Sequence, residues 1–286
     1  MKKPVLETEM TRRRFVGAVG GLLVSSALPA ESAASTAAGK KLGRIGLQLY
    51  TVRDEMQKNF ARTLARVARI GYREVEFAGY FGNSPRTVRN LLRQNGLTSP
   101  ASHVGFPVLG KEWDKTLEDA AAIGNRYVVC PWLDEKQRTL DGYKQAAELF
   151  NKAGERAKAA GLQFGYHNHD FEFKKLQGRL AYDLLLEETD PKLVVMELDV
   201  FWITNGGYDA LAYFRRYPGR FPLLHIKDRD PAGKMVDVGK GAIPWRAVLA
   251  RLDLAGTKHL FVEHDQPANP FAFLSNSYRY LRTLDV

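Results

Sequence analysis

The sequence predicts a single (β/α)8 TIM barrel preceded by an N-terminal signal peptide. Three observations carry this. From Arg44 onward, eight short β-rich apolar runs alternate with eight amphipathic stretches. Glycine stands just past the apolar stripe of several of those stretches, where a helix ends. The first 34 residues have the order of an export signal.

In chain order, the strands are expected at Ile45 to Tyr50, Glu74 to Phe77, Thr98 to His103, Tyr127 to Pro131, Gln163 to Asn168, Leu193 to Asp199, Leu223 to Lys227 and His259 to Glu263. The helical stretches between them are Phe60 to Ile70, Pro85 to Asn95, Trp113 to Ile123, Tyr143 to Ala160, Leu180 to Glu188, Tyr208 to Tyr217, Trp245 to Leu252 and Phe271 to Leu284. Gly71, Gly96, Gly124 and Gly161 supply the helix stops. Strands separated by helices pair in parallel, and eight such units close into one barrel spanning 44–286. An open doubly wound sheet is the alternative. It asks for a Gly-rich phosphate loop after the first strand, and Gln48-Leu49-Tyr50-Thr51-Val52 has none.

Ahead of the barrel, Thr11-Arg12-Arg13-Arg14-Phe15 is followed by an apolar stretch from Val16 to Leu28 and by small residues around Ala30 to Ala34. That is a basic region, an apolar region and a small-residue cleavage zone, with paired arginines of the twin-arginine export type. Residues 1–34 are therefore expected to engage the twin-arginine export machinery, placing the protein in the periplasm or otherwise outside the cytoplasm. The apolar stretch is shorter than the roughly 20 residues of a spanning helix, so no stable membrane span is expected after cleavage. An uncleaved signal would leave a membrane-tethered enzyme.

The formal charge is +10, and without the first 34 residues there remain 37 basic and 29 acidic residues, or +8. A basic surface attracts nucleic acid, anionic membranes or acidic substrates. No Lys/Arg run occurs beyond the N-terminus and no basic stripe is interleaved with aromatics, so nucleic acid is not an expected partner. The single cysteine, Cys130, excludes an internal disulfide and any multi-cysteine zinc cluster.

Active sites of TIM barrels lie at the carboxyl ends of the strands, and here those ends are polar. They carry Gln48 and Tyr50, Glu76, His103, His167-Asn168-His169, Asp199, His225 with Lys227-Asp228, and Glu263-His264-Asp265. A lone histidine in an apolar run, such as His259, is ordinarily a hydrogen-bonded core residue. His167 and His225 arrive with carboxylates on adjacent strands. Two imidazoles and two carboxylates in one barrel mouth require a cation, because ionised carboxylates are costly to bury alone. His167, Asp199, His225 and Glu263 are the expected ligands of one divalent metal, with Mn, Fe, Co, Ni or Zn suiting mixed nitrogen and oxygen donors. A metal-free polar network is the competing arrangement.

At these residues the chain resembles the xylose-isomerase-like TIM barrel superfamily, the group of sugar phosphate isomerases and epimerases. The resemblance runs from residue 44 to 284 through Gly46-Leu47-Gln48-Leu49-Tyr50-Thr51, Tyr166-His167-Asn168-His169, Glu197-Leu198-Asp199-Val200-Phe201-Trp202, His225-Ile226-Lys227-Asp228, Val238-Gly239-Lys240-Gly241 and Phe261-Val262-Glu263-His264-Asp265. It implies a metal held by Glu, Asp, His and Glu from strands five to eight. Asp199, His225 and Glu263 match the last three. His167 stands where many relatives have the first glutamate, which leaves His167, His169 and Glu172 as rival strand-five ligands. Epimerases of this group use two glutamates on opposite faces of an enediolate, so the replacement bears on the reaction.

The expected activity is that of a metal-dependent sugar isomerase or epimerase. Glu263 removes a proton beside a carbonyl, and Lys227 or His103 helps stabilise the enediolate. Gln48, Tyr50, Glu76, His169, Glu172 and Trp202 are expected to contact a carbohydrate substrate. Phe77, Trp132 and Phe171 are further candidates to stack on a sugar ring. Lys227 has an alternative partner in Asp228. Elimination from, or hydration of, a 3-keto-glycoside is the alternative reaction, and a non-catalytic sugar-binding barrel is the alternative class. DNA endonucleases of the superfamily hold three metals with many more ligands than six histidines allow.

Overall fold

Alternating apolar residues make each predicted strand two-faced, and in the computed structural model, which describes residues 41–285, the strands close on themselves. They are β1 (Gly46–Gln48), β2 (Glu74–Phe77), β3 (Thr98–His103), β4 (Tyr127–Cys130), β5 (Gln163–His167), β6 (Val194–Asp199), β7 (Leu223–Ile226) and β8 (His259–Val262). They form one closed barrel in sequential order with β8 beside β1, and every pair is parallel. The expected export signal at residues 1–34 lies outside the described residues.

Most strands stop one or two residues before their expected ends, which puts Tyr50, Asn168, Lys227 and Glu263 just beyond the ladder at the carboxyl mouth. After β1 the chain tightens at once, because the Gln48 side chain accepts from Tyr50 N at 3.0 Å. The helices match the expected pattern with three departures. Short helices at Arg53–Lys58 and Val200–Asn205 were not anticipated, and the stretch from Trp245 breaks into Trp245–Leu249 and Leu252–Ala255. The Val200–Asn205 helix exists because Asp199 both ends β6 and caps the helix after it, its Oδ1 accepting from Trp202 N at 3.0 Å.

Two apolar cores result. The larger lies between strands and helices. A smaller one inside the barrel consists of Ala101, Val129, Leu223 and Phe261. Gly46 belongs to this inner layer, since Phe261 fills the space its side chain would take and a Cβ there would stand 2.6 Å from Phe261 Cδ1. Below, at the amino-terminal end, His259 Nδ1 lies 2.8 Å from Glu74 Oε2, so His259 is a paired structural residue. Above, the barrel interior becomes ionic.

The Val238–Gly241 motif serves the fold. Asp228 is buried and accepts from the backbone N–H groups of Arg229, Gly239, Gly241 and Ile243 at 2.8 to 3.3 Å. A carboxylate so saturated has no need of Lys227, which turns to other partners. Among the described residues no helix is long and apolar enough to cross a membrane.

Replacing Gly46 with alanine is expected to lower stability by about 1–3 kcal/mol, the usual cost of overpacking a filled interior. An unchanged urea midpoint in Gly46→Ala would show that this layer is not tightly packed.

Candidate metal centre and active site

Above the inner apolar layer, four carboxylates are buried together: Glu76, Glu197 and Asp199 at 0% exposure and Glu263 at 5%. Alternation along β6 turns both Glu197 and Asp199 inward. His225 stands between the carboxylates. Its Nδ1 lies 2.7 Å from Glu263 Oε2 and its Nε2 lies 2.8 Å from Glu76 Oε2 and 3.2 Å from Glu197 Oε2. His103 Nε2 is 2.7 Å from Glu197 Oε2, and His167 Nδ1 is 3.2 Å from the same oxygen.

The ammonium of Lys227 lies 2.8 Å from Glu263, 2.9 Å from Asp265 and 3.0 Å from Asp199. Its approach to Asp199 Oδ2 is close but misaligned, so that oxygen has no hydrogen-bond donor. Glu76 Oε1, Glu197 Oε1 and His167 Nδ1 are likewise buried without a hydrogen-bond partner.

Two overlapping groups of donors arise: His103, His167, Glu197 and His225, and above them Asp199, His225 and Glu263. In each, one atom per residue lies within 4.8 Å of the others. These donors fit a divalent cation. An imidazole with carboxylates on both nitrogens must be doubly protonated unless a metal replaces a proton, and the unpartnered carboxylate oxygens need positive charge. The four expected ligands therefore divide: Asp199, His225 and Glu263 form one group, and His167 joins the other through His225.

The electrostatics reflect the same geometry. Burial works against a charged His225, yet Glu197 and Glu263 hold its pKa well above the ordinary value. For His103 the same contest, against Glu76 and Glu197, also ends in an upward shift. Burial, reinforced by His225, pushes His167 down to about 3, which keeps it a neutral imidazole. Burial and then Glu197 raise Glu76 to about 7. Glu263 stays well below the carboxylate range because Lys227 and His225 outweigh burial, and Lys227 is held as an ammonium by Asp199, Glu263 and Asp265 against the same penalty.

A cavity of 590 Å³ opens over this cluster at the carboxyl mouth. Tyr50, His103, His167, His169, Trp202, Lys227 and Glu263 line it. Gln48 and Glu76 do not. Gln48 donates to Glu76 Oε2 at 2.8 Å, so the two brace the cluster from beneath. Glu172 is also withdrawn: it is wholly buried and accepts from the Tyr166 hydroxyl and, at 2.8 Å, from His169 N. It props the loop after β5. Asn168 points away from the cavity, its Oδ1 accepting from Asp199 N at 3.0 Å.

Among the aromatic candidates, Phe77 faces the outer core, stacked on Phe60 at 5.9 Å, because its neighbour Glu76 takes the inward side. Trp132, His169, Phe171 and Trp202 form one wall of the cavity. Trp132 meets His169 and Phe171 edge-on at 4.7 and 5.0 Å, and His169 lies 5.3 Å from Trp202. Arg138 clamps the wall from behind, 3.5 Å from the Phe171 ring centre.

Two residues were not singled out as site residues from the sequence, Glu197 and Asp265. Glu197 sits two positions before Asp199, the spacing that puts both on one face of a strand. Asp265 follows Glu263 by two residues in the loop after β8 and joins the cluster through Lys227.

The chain matches the model of the xylose isomerase-like TIM barrel family over residues 64–283. It is 24% identical over 266 residues to the inosose dehydratase of Geobacillus thermodenitrificans, covering 78% of this chain and 89% of that one. The solved structure of a sugar phosphate isomerase/epimerase from Parabacteroides distasonis is 29% identical, with a TM-score of 0.75 over 89% of this chain and 98% of that one. A probable 3-DHS dehydratase from Bacillus anthracis, 12% identical, shares the fold with a TM-score of 0.67 over 84% of this chain and 98% of that one.

Burial pushes Glu172 from 4.5 up to about 8 against the hydrogen bonds from Tyr166 and His169. A carboxyl whose pKa rises on folding stabilises the fold fully below its unfolded pKa, and this contribution is lost as pH rises through the folded pKa. Between about pH 5 and pH 8 the unfolding free energy is therefore expected to fall more steeply in the wild type than in Glu172→Gln, by up to ~1.4 kcal/mol per pH unit. Urea titrations with parallel pH profiles for the two proteins would contradict this.

Proposed function

The chain belongs to the xylose isomerase-like TIM barrel family, and from that premise we propose that it removes a proton beside the carbonyl of an unphosphorylated cyclic keto-sugar or keto-polyol and thereby breaks a carbon–oxygen bond. It is an enzyme of the isomerase/epimerase or carbon–oxygen lyase class. The observation that carries the lyase reading is the lining of the cavity: Glu263 is its one glutamate, accompanied by Lys227 and by the imidazoles His103, His167 and His169. The second glutamate of a two-glutamate epimerase has no counterpart there. The inosose dehydratases to which the chain is similar are, by their name, enzymes that dehydrate inosose.

Asp199, His225 and Glu263, with His167 and Glu197 beside them, are the residues we assign to a divalent metal. Such an ion, when bound, polarises a carbonyl and acidifies the adjacent carbon. Glu263 is ionised and faces the cavity, so it takes that proton and becomes a carboxylic acid. The electron pair left on carbon forms the double bond as the oxygen one carbon further on departs. His103, carrying a proton and lining the same cavity, gives that proton to the departing oxygen. Lys227 remains an ammonium and donates a hydrogen bond to the carbonyl oxygen as its charge grows.

A neutral substrate is what the charges favour. Lys227 is the only lysine in the cavity lining, no arginine joins it, and its charge is already shared by three carboxylates. The protonated His103 is likewise paired, with Glu197, so a phosphate would meet Asp170, Glu263 and Asp265 with no side-chain cation of the lining to spare. This agrees with the site of action we propose from the N-terminal signal, outside the cytoplasm, where sugars are commonly unphosphorylated. The aromatic wall of Trp132, His169, Phe171 and Trp202 suits the apolar face of a sugar ring.

The test is incubation of the manganese-loaded protein with inosose, a methyl 3-keto-glucoside and fructose in heavy water, followed by NMR. Release of water or methanol is the expected outcome, with kcat falling about 10²–10⁴-fold in Glu263→Gln. Deuterium incorporation without bond cleavage would assign the site to epimerisation or isomerisation instead. Substrates that remain both intact and unlabelled would make the barrel a binder.

A further inference from the structure

Between residues 57 and 111 the only acidic residues are Glu74 and Glu76, both buried inside the barrel. The same segment builds two neighbouring helices of the outer wall, Phe60–Ile70 and Pro85–Gln94. Phe60, Leu64 and Val67 in the first, and Val88 and Leu92 in the second, face the core. On the first helix Arg62, Arg66 and Arg69 are exposed, and on the second Arg86, Arg89 and Arg93. Steps of three and four residues align each trio into one stripe. No described carboxylate pairs with any of the six, nor with the exposed Arg126, Arg246, Arg251 and Arg279, while Arg156, Arg179, Arg215 and Arg216 have acidic partners; what sets the six apart is their alignment on two neighbouring helices.

Like charges one turn apart destabilise a helix. Six unpaired arginines on adjacent helices therefore carry a standing electrostatic cost that an anionic partner would relieve. The linear sequence hides this face because no two of the arginines are consecutive.

Helices of a (β/α)8 barrel run antiparallel to its strands, so Arg69 and Arg93, in the last turns, lie at the rim opposite the cavity. Arg73 stands there too, at the entry to β2, and with Arg69, Gln94 and Asn95 it edges a shallow groove floored by Ala65 and Ala68. At this rim Lys41 and Arg44 lead the chain into β1.

We propose that this arginine face docks on the anionic phosphates of a phospholipid bilayer. Guanidinium groups bind phosphate oxygens in pairs, and an array spread over two helices suits headgroups that can rearrange beneath it. A protein partner would need an apolar centre, and the exposed large apolar side chains, Tyr50, Trp132 and Leu254, lie elsewhere. Duplex DNA is disfavoured because the face offers neither a protruding element for a groove nor aromatic side chains for bases. This face lies on the side of the barrel, so docking by it leaves the cavity mouth uncovered.

Co-sedimentation of the full chain with phosphatidylcholine vesicles, with and without phosphatidylglycerol, tests the proposal. The readout is the gain in binding on adding the anionic lipid, which separates this face from any apolar attachment of the N-terminal segment. Arg62, Arg69, Arg86 and Arg93 make no side-chain hydrogen bond or ion pair among the described residues, so replacing all four with glutamine should leave the fold intact and the melting temperature equal to or above that of the wild type. At about fivefold per arginine, that variant is expected to lose the gain on the order of a hundredfold or more. The matching four-lysine variant should keep it, and added salt should weaken it for the wild type. No gain from phosphatidylglycerol, an undiminished gain in the glutamine variant, or tighter binding to a DNA duplex at the same salt would each overturn the proposal.

Discussion

Four carboxylates buried together inside one barrel set the terms for the rest of this structure. Glu76, Glu197, Asp199 and Glu263 cannot be ionised there without positive charge close by, since desolvation of each costs several kcal/mol. His225 answers this between Glu263 and Glu76, His103 does so beside Glu197, and Lys227 beside Glu263. The arrangement is held from outside. Gln48 fixes Glu76, Asn168 fixes the backbone of Asp199, and the Val238–Gly241 loop occupies Asp228 and so leaves Lys227 for the cavity. These supports ask nothing of a substrate. Their function is to keep like charges together until a cation or a proton joins them.

His167, on β5 beside Glu197, bears on this balance. As a neutral imidazole it adds no charge to the mouth, while Glu197, one layer down, places a negative charge within the cluster. His103, His167 and His169 line the cavity together with Glu263. On the proposed activity, Glu263 as the base and the protonated His103 as the acid suit proton removal followed by departure of an oxygen. The proposed preference for an unphosphorylated substrate rests on the same charges, since Asp170, Glu263 and Asp265 all line the cavity.

The eight-unit architecture was legible because each strand and helix carries its own period, and the glycine stops at Gly71, Gly96, Gly124 and Gly161 divide them. Asp199, His225 and Glu263 were legible because strand ends are where a barrel keeps its chemistry. Glu197 was not, since it lies inside an apolar run and reveals itself only through its two-residue spacing from Asp199. Strand-end position also could not distinguish residues that face the cavity from those that support them. Gln48, Glu76 and Glu172 look alike in sequence to Tyr50 and His169, and only their partners place them beneath the surface. The helix after Asp199 was hidden for a related reason, as one residue both ends a strand and caps the next element. The arginine face escaped a search for consecutive charges because a helix brings together residues that the sequence separates by three or four.

The most direct test is the metal content of the purified protein and of its His225→Ala and Asp199→Ala variants, by elemental analysis after dialysis, with circular dichroism to confirm folding. One divalent ion per chain in the wild type and under about a tenth of that in both folded variants is the predicted result, on the order expected when a buried ligand is lost. Equal occupancy in all three proteins would contradict the assignment of this carboxylate and imidazole cluster as a metal centre.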